Sequence, residues 1–174
     1  MLGNHRLIEE RQLCRPAIEA RLNEHERQGR TVTLLASENE VLAIFAVADT
    51  IKESSRSAIA ELHRLGVVSV MLTGDNVATA GAIAQQAGID DARGNLLPED
   101  KLAAIEELRE RYGATAMTGD GINDAPALAR ADIGVAMGAA GTDTAMEAAD
   151  IVIMNDNLQR IPETIRLSRR THAV

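Results

Sequence analysis

The feature that most constrains the fold is an alternation of short apolar segments with helical segments from about residue 49 onward. Residues 67–72 form an apolar run interrupted only by Ser69, and residues 133–137 and 151–154 have the same character. Strands buried on both faces of a parallel sheet show such runs. Strand–helix repeats of this length predict a parallel sheet with right-handed crossovers. The expected fold class is therefore α/β, with helices on both faces of a parallel sheet.

Residues 1–48 follow a different order. Pro16–Arg27 has a weak helical period, and Thr31–Ala36 and Val41–Ala48 read as two strands joined by a polar turn. A helix followed by a hairpin is unlike the later alternation. We therefore expect two parts, residues 1–48 and residues 49–174.

Composition excludes several classes of protein. The net charge is −8, and Phe45 and Tyr112 are the only aromatic residues, which argues against a nucleic-acid-binding protein. The single cysteine, Cys14, excludes a disulfide framework and is expected to be a small apolar side chain, with a reactive thiol as the alternative. No apolar run approaches the roughly 18 residues of a membrane span. A soluble, cytoplasmic chain is therefore expected.

An acidic, glycine-bearing turn lies between a strand and a helix at residues 114–126. The strand ends at Gly119, and a helix begins near Asn123 and Asp124 with Pro126 in its first turn, where a missing N–H costs nothing. Asp120 and Asp124 thus lie at the carboxyl end of a predicted parallel strand, where open α/β sheets bind ligands. Carboxylates on such a turn suit Mg²⁺. The alternative is an acidic capped turn without a ligand.

Two further stretches supply groups that complement a metal-binding acid. Thr73-Gly74-Asp75 follows the strand 67–72, in the same way that Thr118-Gly119-Asp120 follows its own strand. Lys101 is one of only two lysines in the chain, and a lysine is a compact positive charge able to neutralise a phosphoryl group. A hydroxyl donor, a cation and a metal-binding acid are the requirements of phosphoryl transfer. In isolation, Lys101 would be an ordinary solvated helix residue.

These stretches, in this order, resemble the phosphorylation domain of P-type ATPases, which belong to the haloacid dehalogenase-like superfamily. The resemblance rests on residues 73–76, 98–101 and 118–126. Residues 141–152 resemble the heavy-metal exporting branch, and residues 157–169 most resemble its zinc, cadmium and lead pumps, with copper pumps second. Residues 1–48 resemble more loosely the end of the inserted nucleotide-binding domain.

The resemblance implies roles for individual residues, with Mg²⁺ and ATP as cofactors. Asp120 and Asp124 would bind the metal, Asn123 would help to hold its waters, and Thr73 and Lys101 would contact the phosphoryl group. Contacts with the nucleotide, or closure of the two domains, would involve Gly3, Asn4, Gly74 and Asp75. Gly3-Asn4 is short, and an ordinary turn explains it equally well.

One departure from the family pattern limits these implications. The phosphorylated aspartate of the family lies in an Asp-Lys-Thr-Gly-Thr segment, which this chain does not contain. We therefore expect a catalytic fragment of a pump that is inactive alone. Its partners would be ATP and the missing N-terminal half or membrane portion, with the transported divalent metal bound only by the intact pump in the cell membrane.

Two other functions fit the sequence. The chain could be a self-sufficient phosphatase of the same superfamily that uses Asp49, which ends an apolar strand and would otherwise mark the hinge toward the nucleotide domain. It could instead be a non-catalytic module that binds nucleotide or Mg²⁺.

Overall fold

The computed structural model describes residues 1–47, 51–119, 122–138 and 143–172. The chain divides into two compact units, one of residues 1–52 and 68–95, the other of residues 53–67 and 96–174. The predicted boundary at residues 48–49 lies outside the described residues, and the two-part domain assignment stays a prediction. Residues 68–95, predicted to belong with the later part, pack with the N-terminal residues.

The first unit contains an antiparallel sheet covered by two helices. Its strands β1 (Leu2–Gly3), β2 (Thr31–Ala36) and β3 (Val41–Val47) are arranged in the order β1-β2-β3. Helices α1 (His5–Glu10) and α2 (Pro16–Arg27) pack on β2. The buried core joins side chains from both helices and alternate positions of β2: Ile8, Leu22, Val32, Leu34 and Ala36. The predicted hairpin is therefore confirmed.

The rest of the first unit is a parallel strand–helix–strand segment. Strand β4 (Val70–Leu72) leads to α4 (Val77–Ala87), and β5 (Asp91–Arg93) pairs with β4 in parallel. Helix α4 ends at Gly88, whose φ of 78° is in the left-handed region that glycine tolerates. The Thr79 hydroxyl is fully buried and donates to the Arg30 carbonyl at 3.4 Å, which attaches α4 to the start of β2.

The second unit is built on a parallel sheet. Strands β6 (Ala116–Gly119), β7 (Ile133–Met137) and β8 (Ile151–Ile153) are arranged in sequence order. The connections contain a 3₁₀ turn (Ile122–Asp124), α6 (Ala125–Arg130) and α7 (Asp143–Ala148), and α5 (Pro98–Tyr112) precedes β6. Buried aliphatic side chains of α5, α6 and β7 form the core. The predicted α/β class with parallel strands is confirmed.

Two helices distant in sequence pack together in the second unit. They are α3 (Glu53–Arg64) and α8 (Arg160–His172). Glu61, on α3, forms an ion pair with Arg166 and accepts a hydrogen bond from Gln159 Nε2 at 2.5 Å. The Arg169 guanidinium donates to the Leu65 carbonyl at 3.1 Å. These contacts explain how a polar helix is held near the chain end.

The sequence missed or misplaced some elements. Strand 67–72 was predicted to be continuous, but β4 begins at Val70, because the Val67 N–H donates back to the Leu62 carbonyl of α3 at 3.0 Å. Strand β5 was not predicted, since Asp91-Ala92-Arg93 has no apolar run and is ordered by pairing with β4. The short elements β1 and α1 were also missed, because neither has a periodic pattern long enough to detect.

Candidate active site

The candidate site begins where β6 ends in the second unit. Gly119 is the last residue of β6, and the 3₁₀ turn and α6 follow, with Pro126 in the first turn of α6 as predicted. Asp120 lies outside the described residues. The carboxyl end of a parallel strand is therefore followed by Asn123 and Asp124, of which Asn123 is exposed.

Gly119 lets the Asp124 side chain lie against the backbone at the end of β6. A Cβ added at Gly119 would meet the Asp124 Cβ at 2.7 Å and its Oδ2 at 2.8 Å. In the structure, the space above Gly119 contains the Asp124 carboxylate, so this glycine positions an acid of the site.

Lys101 forms an ion pair with Asp124 across 23 residues of sequence. Its Nζ donates to Asp124 Oδ1 at 2.8 Å, and each side chain is 16% exposed. Lys101 lies in the first turn of α5, where the Asp100 carboxylate accepts from the Leu97 N–H at 2.9 Å and stabilises the helix start. The helix cap thus determines the direction from which the lysine reaches the sheet.

Thr73 and Asp75 form a second local arrangement, in the first unit. The Thr73 hydroxyl donates to Asp75 Oδ2, and the Asp75 N–H donates to Thr73 Oγ1, both at 3.1 Å. Asn76 caps α4 by accepting from the Thr79 N–H at 2.8 Å. Gly74 is exposed on this turn.

Gly94 and Asn95 close the same turn, and neither residue was predicted to have a role there. A Cβ at Gly94 would lie 2.8 Å from the Asp75 carbonyl oxygen, and the Asn95 N–H donates to that oxygen at 2.6 Å. The available signal was a glycine followed by asparagine, a pair typical of tight turns. Asn95 has a φ of 58°, consistent with that reading.

Gly3 and Asn4 have clear local roles. Gly3 pairs with Leu34 in the antiparallel sheet, and a Cβ there would collide with the Leu7 side chain. The Asn4 side chain caps α1 by accepting from the Leu7 N–H at 3.0 Å. Strand pairing and a helix cap account for the two residues locally, and their nucleotide-binding role stays a prediction.

The structure therefore assembles the predicted residues into two pairs, Lys101 with Asp124 and Thr73 with Asp75, each within one unit. Asp49, Asp120 and residues 141–142 lie outside the described residues. Within the described ranges, no group of three or more His, Cys, Asp or Glu side chains is arranged to hold a metal ion. No described helix is both long enough and apolar enough to cross a bilayer.

Comparison with known proteins decides the family. The model of the haloacid dehalogenase-like hydrolases matches residues 1–132. The chain belongs to this family. As a haloacid dehalogenase-like protein, it has its acidic turn at the sheet edge where open α/β folds bind ligands.

Relatives of this haloacid dehalogenase-like chain are metal pumps. It is 51% identical over 147 residues to a probable cadmium-transporting ATPase of Alkalihalophilus pseudofirmus, covering 84% of this chain and 20% of that protein. It is 48% identical over 171 residues to a copper-exporting P-type ATPase of Bacillus subtilis, covering 98% and 21%. The chain thus spans about a fifth of the length of these curated relatives.

The fold is also similar to that of a solved pump. A zinc-transporting PIB-type ATPase in the E2.Pi state superposes with a TM-score of 0.74 at 44% identity, covering 90% of this chain and 26% of that one. The resemblance to heavy-metal P-type ATPases, seen first in the sequence, is confirmed.

Proposed function

We propose that this chain supplies the metal-binding and phosphate-stabilising part of the catalytic region of a P-type heavy-metal pump. The pump would couple ATP hydrolysis, through an aspartyl phosphate, to export of zinc, cadmium or lead, with copper as the second choice. The observation that carries the proposal is the Lys101–Asp124 pair at the carboxyl end of β6. Relatives named as cadmium-transporting and copper-exporting ATPases support it.

Lys101 would neutralise the phosphoryl oxygens, and the Thr73 hydroxyl would donate to them after turning its O–H away from Asp75. A largely buried ammonium group stabilises developing negative charge more strongly than an exposed one, because less water screens it. Among the described residues, Asp124 holds Lys101 by one hydrogen bond of 2.8 Å, and an ammonium group has two further N–H donors for a phosphoryl oxygen.

Mg²⁺ suits the oxygen donors at the carboxyl end of β6. Asp124 uses Oδ1 for Lys101, and its Oδ2 lies over Gly119 at the strand end. Hard cations prefer carboxylate oxygens together with water and phosphate oxygens. Asp120 and Asp124 would hold Mg²⁺, with Asn123 binding its waters, and the metal would supply charge neutralisation for the phosphate.

ATP would contact residues of the first unit. Gly74 and Asp75 lie on the turn after β4, while Gly3 ends β1 and Asn4 caps α1. The Asp75 side chain is ordered by Thr73, which would hold its carboxylate ready for a hydroxyl or amide donor of the nucleotide. The phosphorylated aspartate would come from an Asp-Lys-Thr-Gly-Thr segment supplied by the rest of the pump.

Complementation tests this proposal. The chain is mixed with a polypeptide that carries the Asp-Lys-Thr-Gly-Thr segment, and transfer of label from γ-labelled ATP to protein is measured with Mg²⁺ present. We expect an acyl phosphate, sensitive to alkali, that disappears with Asp120→Asn and persists with the exposed control Glu10→Gln. Labelling that is unchanged in Asp120→Asn would contradict the metal role.

A second assay separates the stand-alone phosphatase from the fragment. Hydrolysis of a generic phosphate ester is measured with Mg²⁺ for the chain alone and for Asp49→Ala. We expect no hydrolysis by either. Clear hydrolysis that is lost in Asp49→Ala would show a self-sufficient phosphatase and would refute the fragment.

A further inference from the structure

A side-chain cluster in the first unit is not used by the proposed phosphoryl-transfer site. It surrounds the ring of His5, the first residue of α1. His5 Nδ1 lies 3.2 Å from Glu26 Oε1, and His5 Nε2 lies 3.8 Å from Cys14 Sγ and 3.7 Å from Glu9 Oε1. A sulfur and an oxygen thus face the same ring nitrogen.

Glu26 determines which ring nitrogen is available. Glu26 is only 5% exposed, and a buried carboxylate requires a hydrogen-bond donor. His5 Nδ1 is the ring nitrogen that faces Glu26, and in the tautomer that donates from Nδ1 the lone pair of Nε2 faces Cys14 and Glu9. A carboxylate behind a histidine is the arrangement that orients imidazole ligands in metal sites.

Two chemistries use a thiol beside an imidazole: nucleophilic attack and binding of a thiophilic cation. Burial raises the pKa of the Cys14 thiol, and the carboxylates of Glu19, Glu9 and Glu26 raise it further. The thiolate needed for nucleophilic attack is therefore disfavoured. The same carboxylates favour a cation that takes the place of the thiol proton.

We propose that Cys14 Sγ and His5 Nε2 bind a thiophilic divalent cation of the Zn²⁺ and Cd²⁺ class, with Glu26 fixing the imidazole. In a tetrahedral zinc site, a thiolate sulfur and an imidazole nitrogen lie about 3.5 Å apart, as follows from bond lengths of roughly 2.3 and 2.0 Å. The present separation is 3.8 Å, so a small adjustment suffices. Sulfur and imidazole donors select such cations over Mg²⁺.

The two remaining positions belong to water or to Glu9. The Glu9 side chain is 56% exposed and lies one helical turn from His5, so a rotamer change brings its carboxylate to the cation. Binding breaks the Cys14 S–H bond, forms a sulfur–metal bond and releases one proton to solvent. No oxidation or reduction occurs.

Cys14 is the only cysteine in the chain, which makes the test direct. The full chain is titrated with Cd²⁺ in excess Mg²⁺, and the ultraviolet thiolate-to-Cd²⁺ charge-transfer band is followed. In parallel, the alkylation rate of Cys14 is measured with and without Zn²⁺. We expect one Cd²⁺ per chain, a band that is absent in Cys14→Ser, and alkylation slowed at least about tenfold by Zn²⁺.

Variants distinguish a site from a lone thiol. We expect His5→Gln, like Glu26→Gln, to weaken Cd²⁺ binding by about 10- to 100-fold. The exposed histidine control His172→Gln should bind as the wild type does, and so should Glu10→Gln beside Glu9. Equal affinity of His5→Gln and wild type would reduce the site to a lone thiol and overturn the proposal, as would a wild-type chain without the band.

Loss of folding in the Glu26 variant does not block the test. The ¹⁵N chemical shifts of His5 are then recorded in the wild-type chain during Cd²⁺ addition. We expect Nε2 to move strongly and Nδ1 to keep its protonated shift. A stationary Nε2 would overturn the proposal.

Discussion

Two aspartates of the second unit pair with basic residues of the same helix, at opposite ends of the sheet. Asp124 follows β6 and pairs with Lys101 in the first turn of α5, whereas Asp132 precedes β7 and pairs with Arg109 in the last turn of that helix. Helix α5 thus connects the two ends of the sheet. The two pairs nevertheless differ in chemistry.

Asp132 is held by three donors. Arg109 Nε donates to its Oδ2 at 3.1 Å and Arg109 Nη2 approaches its Oδ1 at 2.7 Å, while the Thr115 N–H donates to Oδ2 at 2.9 Å. Among the described side chains, Asp124 accepts one hydrogen bond, from the Lys101 ammonium group. A guanidinium fork that binds both oxygens suits a structural tie, and a single lysine leaves donor capacity for a substrate. This difference supports the proposal that phosphoryl transfer takes place at the carboxyl end of the sheet.

The largest expected effect is on phosphoryl transfer. In the complementation assay, Lys101→Ala should lower the phosphorylation rate by about 10²- to 10³-fold, because a cation that faces the developing charge is removed. Lys101→Arg should recover little of this loss, since a planar fork does not reproduce a compact charge.

The matched control is Arg109→Ala, at the other end of α5. It should leave the phosphorylation rate within about twofold of wild type, since surface changes away from the site have small effects. If Arg109→Ala lowered the rate as much as Lys101→Ala, the functional distinction between the two ends would be lost.

Gly119→Ala should have the largest effect on stability. The added Cβ would lie 2.7–2.9 Å from Asp124 side-chain atoms, and such overpacking costs about 1–3 kcal/mol. The measurement is the midpoint of urea unfolding. Gly81→Ala, in α4 with open space around the new Cβ, should instead stabilise the chain by about 0.5–1 kcal/mol. Equal shifts would show that the approach of Asp124 to Gly119 is not tight.

Asp132 should make stability depend on pH. The hydrogen bond from the Thr115 N–H lowers the pKa of Asp132, and Arg109 lowers it further. A depressed carboxyl pKa contributes stability above the unfolded value, about 3.9, and that contribution is lost as pH falls through the folded pKa. Melting temperatures measured from neutral to acidic pH should fall more steeply for wild type than for Asp132→Asn. The exposed control Asp156→Asn should follow the wild-type curve, and parallel curves for all three would exclude the effect.

The smallest effect is expected for a fully surface pair. Arg130 Nε donates to Glu106 Oε1 at 2.8 Å, and both side chains are about half exposed. Glu106→Gln should cost no more than about 1 kcal/mol of unfolding free energy, and less in high salt. A larger loss that does not depend on salt would show that this ion pair stabilises the fold as the Arg109–Asp132 pair does.

Local pattern was sufficient for much of the fold and for the choice of site. Helix α2, the β2–β3 hairpin and the place of Pro126 in the first turn of α6 were predicted because caps, turns and apolar periods are short-range signals. Residues 118–126 drew attention to Asp124 for the same reason. The family resemblance supplied the roles of Lys101 and Thr73, which local pattern could not assign.

The sequence by itself determined an α/β chain with parallel strands, an acidic turn at a strand end and a rare lysine upstream of it. Only the tertiary structure showed that Lys101 reaches Asp124, that Gly119 makes room for that carboxylate, and that His5 lies between Glu26 and Cys14. Apolar periodicity and turn chemistry act within a few residues, so a short stretch of sequence is enough to recognise them. Pairings across 20 residues or more depend on how helices pack on strands, and the packing decides them.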